Sequence, residues 1–192
     1  MRVRLFLPAL FLAALALSQG CAPVIVAGGA TAAVAASDRR SVGTQLDDEN
    51  IELTARRRVN HDDRLVEGVH ANFTCFNGTL LLTGEAATAE KRDIVVSLVE
   101  RLQGVKRVVN EIVVAAPTTL SSRSNDSWIT GQVKTRLLAD ANIPGRQVKV
   151  VTESATVYLM GLVKQREGEL AAESARAVSG VKRVVKLFEY TD

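Results

Sequence analysis

Apolar residues recur at helical spacing in two segments of the chain, 47–59 and 126–138. Each segment opens with Asp, Ser or Asn, the residue types that cap helix N-termini. The spaced positions are Ile51, Ala55 and Val59 in the first segment, and Ile129, Val133 and Leu137 in the second. We therefore predict two amphipathic helices with matching apolar faces.

A common series of elements follows each of these helices. Two short strands are joined by a turn, and a second helix ends at a glycine that opens a last strand. The predicted strands are 70–76, 79–86 and 105–114 in the first unit, and 147–153, 156–163 and 181–190 in the second. The order α-β-β-α-β, repeated in about 70 residues each time, predicts an α+β fold with two helices on one face of a small mixed sheet.

The hexapeptide GVKRVV marks the duplication, because it occurs at 104–109 and again at 180–185. Its glycine is expected to end a helix and its valines to begin a strand, which leaves the Lys-Arg pair in a solvated turn. We assign 44–116 to module 1, 126–192 to module 2, and the segment 117–125, rich in Ser and Thr, to a linker.

The N-terminus has the features of a bacterial export signal over residues 1–20. Arg2 and Arg4 precede an apolar stretch at 5–17 that is too short for a stable membrane span. The following SQGC resembles a lipobox, although Ser18 stands where Leu is commoner. We expect lipid on Cys21 and a lipidated tether over 21–43. The alternative is a signal cleaved nearby that leaves Cys21 as an ordinary thiol.

Charge argues against general nucleic-acid binding. The chain carries a formal net charge of +3, and two of its basic residues belong to the export signal. Module 1 holds nine basic and twelve acidic residues, whereas module 2 holds ten basic and eight acidic residues. The modest positive balance therefore lies on module 2.

Enzymatic chemistry has little support in the sequence, which lacks nucleophile, P-loop and metalloprotease motifs. The run His61-Asp62-Asp63 is expected to be a solvated loop, since adjacent residues cannot surround one metal ion without distant partners. His70 is expected to be exposed at a strand start, and Cys75 to be a small buried hydrophobe. We predict no enzyme activity, no metal site and no cofactor.

Trp128 is the only tryptophan, and it stands on the same predicted helix as Lys134 and Arg136. An indole beside cations suits a membrane interface, where an apolar ring and a polar N–H meet anionic headgroups. The alternative is that Trp128 packs against the first module or the sheet while the cations are solvated.

The two units resemble the BON domain family over 44–116 and 126–190, through an apolar strand, a glycine, a helix and G-V-x-x-V. The matching stretches that point to the family's two-domain lipoproteins are RSVGTQLDD (40–48), NDSWIT (125–130), VYLMGLV (157–163) and VSGVKRV (178–184). This resemblance implies an outer-membrane lipoprotein that faces the periplasm and supports envelope integrity, with anionic phospholipid bound by the second module. Ala22 after Cys21 fits outer-membrane sorting by the same analogy.

Carried onto this sequence, the resemblance places phospholipid contact on the first helix of module 2. The implied contact residues are Trp128, Ile129, Lys134, Arg136, Leu137 and Leu138. The alternative function is a protein-interaction adaptor for outer-membrane assembly, cell-wall or division machinery, in which the lipid is only an anchor.

Overall fold

The computed structural model describes residues 39–116 and 119–192. The expected export signal, Cys21 and almost all of the tether lie outside these residues. Module 1 consists of α1 (Val42–Asn60), β1 (Val69–Phe76), β2 (Thr79–Ala86), α2 (Ala89–Val99) and β3 (Arg107–Val114). Module 2 consists of α3 (Leu120–Ala139), β4 (Val148–Glu153), β5 (Thr156–Val163), α4 (Gln165–Arg176) and β6 (Arg183–Tyr190). The predicted α-β-β-α-β order is confirmed in both modules.

The first helix of each module begins earlier than the apolar pattern predicts. The Ser41 hydroxyl accepts a hydrogen bond from the Thr44 amide at 3.1 Å and caps α1. Thr119 caps α3 in the same way, so residues 120–125 of the expected linker are helical. A Ser- or Thr-rich stretch is compatible with either a loop or a helix cap, and the capping bonds select the helix.

Each module has one three-stranded sheet with its helices on one face. The central strand pairs antiparallel with the strand before it and parallel with the last strand, in the orders β1-β2-β3 and β4-β5-β6. In module 1, Leu80 and Leu82 of β2 point toward the helices and are fully buried with Val95 and Val99 of α2. Because side chains alternate along a strand, the residues between them face the other way.

The second faces of the two sheets pack against each other. Phe76 and Leu81 of module 1 form one buried cluster with Tyr158 and Met160 of module 2. The molecule is therefore layered as helices, sheet, sheet and helices. As a consequence, α1 and α3 lie in opposite outer layers, and their outward faces point away from each other.

Polar contacts border this apolar interface between the modules. Glu111 of β3 accepts hydrogen bonds from the Arg183 guanidinium at 2.6 Å and the Tyr158 hydroxyl at 3.2 Å. On the other side, Lys149 of β4 donates to the Glu52 carboxylate at 2.7 Å. Because each contact joins one particular residue of module 1 to one of module 2, together they set the relative position of the two sheets.

The end of the expected tether is part of this fold. Arg39 makes a two-pronged ion pair with Glu167 in module 2, at 3.0 and 3.2 Å, and this contact lowers the pKa of the Glu167 carboxyl. Arg40 pairs with Asp48 of module 1 at 2.6 Å and lies 3.8 Å above the ring centre of Phe76. Residues 39–43 therefore belong to the folded body and not to a tether, since neighbouring arginines contact different modules.

A buried aspartate at the first helix holds the hairpin turn of each module. Asp126 accepts hydrogen bonds from the backbone amides of Ser154 at 2.9 Å and Ala155 at 2.8 Å, and both turn residues have positive φ angles. Asp48 does the same for the amides of 77–78. The carboxylates stabilise a turn conformation that L-residues otherwise rarely adopt.

We predict that Asp126→Ala lowers the free energy of unfolding by roughly 2–4 kcal/mol, because two buried amides lose their acceptor. Urea unfolding followed by circular dichroism measures the loss. Asp93→Ala is the matched control, since the Asp93 side chain is exposed and its ion pair is with its neighbour Arg92. A loss no larger than that of the control would show that the turn holds its conformation unaided.

We predict a second effect at high pH from Tyr158. Burial, with the nearby Glu111 charge as the next cause, raises the pKa of the Tyr158 hydroxyl from 10.0 to about 12. A pKa that is higher in the folded state stabilises the fold below pH 10 and loses that contribution as the pH rises toward 12. Unfolding measured across pH 9–12 should thus show a decline that Tyr158→Phe reduces. Equal slopes for both proteins would contradict the assignment.

Candidate functional site

The outer face of α3 presents two large apolar side chains to solvent. Trp128 is 52% exposed and Leu138 is 57% exposed. Trp128, Gly131, Thr135 and Leu138 follow one side of the helix over about 15 Å, because residues three and four apart are neighbours. Apart from its chain neighbours and the backbone of its own helix, no described residue lies within 4 Å of the position that a Gly131 Cβ would occupy. These four residues define the α3 ridge, an open surface with an aromatic and an aliphatic end.

Two of the predicted contact residues are absent from this surface. Ile129 and Leu137 have no exposed surface and belong to the hydrophobic core of module 2. Each immediately neighbours an exposed residue of the ridge, and adjacent helix positions are rotated by about 100°. Their assignment to phospholipid contact was wrong because the apolar spacing that predicted the core already required them inside.

The two predicted cations lie on different sides of the ridge. Both are exposed, but helical geometry places Lys134 about 120° from Trp128 in one direction and Arg136 about 80° in the other. Lys134 is one turn from Leu138. Arg136 lines a cavity of about 600 Å³ between α3 and α4 that also contains Glu173. Lys134 is therefore the cation closer to the ridge, and Arg136 lies at its margin beside an acidic residue.

The rotation of α3 that exposes Trp128 is fixed by its neighbours in sequence. Asp126 holds the hairpin turn, and the Ile129 side chain reaches to 3.3 Å from the position that a Cβ of Gly180 would occupy. With Asp126 and Ile129 held against the module, residues 127 and 128 between them face outward. No acidic residue occurs between 127 and 139, so the ridge lies on a basic stretch of the helix.

The corresponding surface of module 1 has a different chemistry. Asn50 takes the place of Trp128 and lines a cavity of about 680 Å³ that also contains Asp47 and Lys106. The exposed apolar residues of α1 are Leu46 and Leu53, together with Val42 at the helix start. Acidic residues occupy positions 47–49 and 52 between them, and three arginines follow at 56–58. The two first helices thus share a core face and differ in the face that they offer to a partner.

The run His61-Asp62-Asp63 makes its contacts with nearby residues of the chain. Asp62 accepts hydrogen bonds from the Arg64 side chain, which lowers the pKa of its carboxyl, and His61 Nδ1 lies 2.8 Å from the Arg57 carbonyl oxygen. In the described ranges 39–116 and 119–192, no group of three or more His, Cys, Asp or Glu side chains is placed to hold a metal ion.

His70 differs from the sequence expectation of an exposed side chain. It is half-buried, and its Nδ1 lies 3.3 Å from a carboxylate oxygen of Glu85, whose side chain is only 4% exposed. Glu85 was missed by the sequence pattern because it lies in an apolar strand on the face toward module 2. The only signal is the cross-strand pairing of His70 with Glu85, which requires the register of the sheet.

Cys75 is buried, as the sequence predicts. Its sulfur donates a hydrogen bond to Asp48 at 3.2 Å, and the pKa of the thiol is raised to about 12 by burial first and by this carboxylate second. A thiol with so high a pKa is protonated at neutral pH and is a poor nucleophile.

No helix within the described part of the chain is both long and apolar enough to span a bilayer.

Comparison with known proteins identifies the family of these modules. The family described as BON domain matches residues 47–116 and 125–192. The chain is 36% identical to the outer membrane lipoprotein DolP of Haemophilus influenzae over 184 residues, covering 96% of this chain and 95% of the relative. It is 37% identical to a 21 kDa hemolysin of Actinobacillus pleuropneumoniae, with 80% and 79% covered. It is also 28% identical to the osmotically-inducible protein Y of Escherichia coli, with 77% and 75% covered.

A solved structure, the C-terminal domain of the type III secretion protein CdsD of Chlamydia trachomatis, aligns with a TM-score of 0.31 at 12% identity, over 71% of this chain and 96% of that one. That score is too low to bear on the fold. The family match and the lipoprotein relative cover both modules, and neither describes an enzyme family. This chain therefore belongs to the BON domain family and is a DolP-like outer-membrane lipoprotein with two BON domains.

Proposed function

We propose that this lipoprotein has a non-catalytic binding role: its second module binds anionic phospholipid headgroups at the α3 ridge and so supports envelope integrity. The observation that carries the proposal is a half-exposed tryptophan on a helix face that has cations nearby and no acidic residue. We also propose that Cys21 bears the lipid and that the ridge faces the periplasmic leaflet.

The physical chemistry of the ridge suits a shallow contact. An indole ring is most stable at the level of the headgroups, where its apolar body leaves water and its N–H keeps a polar partner. Leu138 adds apolar area at the opposite end of the ridge from Trp128. Each Lys or Arg held near an anionic surface contributes about 1 kcal/mol. Lys134 is the main cation on this face, and Arg136 contributes from the margin.

The covalent lipid and the ridge have different tasks in this proposal. Two or three acyl chains hold a protein on a membrane firmly, because each buried CH₂ contributes about 0.8 kcal/mol. The ridge therefore does not need to anchor the protein. It selects the headgroup charge of the lipid on which module 2 rests.

A second candidate function, an adaptor for other envelope proteins, is favoured by one observation. Val42, Leu46 and Leu53 of α1 are exposed in the outer layer opposite the α3 ridge. A membrane that contacts α3 leaves this face turned away from the bilayer and open to a protein of the assembly or division machinery. The two functions are compatible because they use opposite layers.

We predict that Trp128→Ala weakens binding to anionic vesicles about tenfold, because the indole provides the largest apolar contact of the ridge. The protein is the chain from residue 21 with Cys21→Ser, which has no lipid of its own. Co-sedimentation with phosphatidylglycerol-containing vesicles and with pure phosphatidylcholine vesicles measures the affinity. Leu53→Ala is the matched control, because Leu53 is an exposed apolar residue on the opposite layer.

Failure of the unsubstituted protein to prefer the anionic vesicles would overturn the phospholipid proposal. A preference that Trp128→Ala leaves unchanged would move the contact away from the α3 ridge. Retention of an envelope protein by the Leu53 surface, with vesicle binding lost, would favour the adaptor function.

A further inference from the structure

The second copy of GVKRVV lies beside a cavity in which basic side chains predominate. The cavity has a volume of about 400 Å³ at the end of α4 and the start of β6. It is lined by Arg176, Lys182 and Arg183, together with Val181 and Val184. No acidic residue lines it, so three cations share one small open space.

Two of the three cations of this basic cavity have no ion-pair partner among the described residues. Among the residues that the structure describes, Arg176 and Lys182 form no ion pair or side-chain hydrogen bond with another residue. Arg183 uses Nη2 to bind Glu111 at 2.6 Å, and its side chain is still 57% exposed. On α4, Glu173 lies three residues before Arg176 and Glu169 lies seven residues before it. The pKa of the Glu169 carboxyl is lowered chiefly by its bond with Lys186 and slightly by Arg176.

The first copy of GVKRVV has the same six residues but different charged neighbours. Glu100 stands at the position of Arg176, four residues before the motif's glycine. Lys106, the counterpart of Lys182, donates a hydrogen bond to the Asn77 side chain at 3.2 Å. The identical hexapeptide is therefore part of a mixed surface in module 1 and part of a basic one in module 2.

The basic cavity and the α3 ridge are at the same end of module 2. The Lys182 amide donates to the Ala155 carbonyl at 2.9 Å, in the hairpin turn that Asp126 holds. Ile129, next to Trp128, packs against Gly180. In module 1, moreover, Asn50 and Lys106 line one cavity, and Trp128 and Lys182 occupy the corresponding positions of module 2.

We infer that Arg176, Lys182 and Arg183 form a phosphate-binding site for a membrane-borne phosphodiester, at the same end of module 2 as Trp128. This inference rests on the proposed function, because it names the side chains that receive the headgroup phosphate. Guanidinium groups bind phosphate oxygens in pairs of parallel hydrogen bonds, and the lysine adds a mobile charge. The two valines give the cavity an apolar wall that a glycerol backbone can contact.

The source of the phosphate is the bilayer and not a free anion. Exposed cations gain little from a soluble phosphate, since water and salt screen the attraction. An anionic bilayer combines a dense surface charge with an apolar interior. Trp128 and the cations can therefore bind the same bilayer at once, and their contributions to the affinity add. Lys134 and Arg136 lie further along the same helix as Trp128 and add to the basic field of module 2.

The test compares Arg176→Ala with Lys182→Ala, singly and combined, in the chain from residue 21 with Cys21→Ser. Each change should weaken binding to phosphatidylglycerol-containing vesicles about fivefold, the equivalent of about 1 kcal/mol for each cation. The double variant should lose roughly 25-fold. Lys106→Ala, in the identical hexapeptide of module 1, should bind as well as the unsubstituted protein. Urea unfolding verifies that all variants keep the fold.

The outcomes separate this inference from the proposal on which it rests. Anionic vesicle binding that depends on Trp128 but is equal in the double variant and Lys106→Ala would overturn the phosphate site alone. A lack of anionic preference in the unsubstituted protein would overturn the proposed function itself. In a competition experiment, glycerol phosphate or inorganic phosphate is added to the vesicle-bound protein. Full displacement from vesicles by either at millimolar concentration would overturn the membrane source.

Discussion

The packing of one sheet against the other is the constraint on which the rest of the molecule depends. Leu81, Tyr158 and Met160 are buried between the sheets, where a single module would expose them to water. A module of about 70 residues buries too little apolar surface to be very stable alone, so the second face of each sheet has to be covered. Covering it with the other module sends the helices outward and leaves two separate outer surfaces for partners.

The two modules share the same buried contacts and differ in the residues of their outer faces. Asp48 and Asp126 occupy equivalent positions and hold equivalent turns, and Ile51 and Ile129 pack against equivalent glycines. These positions are constrained by buried polar groups and close contacts, which tolerate few substitutions. The neighbouring exposed positions carry no such constraint, and so Trp128 could replace an asparagine without disturbing the fold.

The same reasoning applies to the hexapeptide that reveals the duplication. Its glycines were expected to end a helix, but the helices end at Val99 and Arg176, and the glycines lie in the following turns with positive φ angles. The last two valines of each copy enter the sheet, so these parts are structural in both copies. The Lys-Arg pair is exposed in both and takes its character from the neighbours. An arginine at 176 instead of a glutamate turns one copy into part of a basic cavity. The two copies of the motif are identical in sequence and differ in the residues that surround them.

The amino-acid sequence by itself determined the elements, the two modules and the burial of Cys75, because periodicity and glycine placement are local signals. It also singled out Trp128. The helical spacing also placed Ile129 and Leu137 in the core, so their assignment to phospholipid contact conflicted with the sequence pattern itself. Only the tertiary structure showed how far Trp128 and Leu138 are exposed, and only it brought Glu111 to Arg183 and Arg39 to Glu167. Those contacts join residues that are distant in sequence, and the packing of the two sheets alone makes them neighbours.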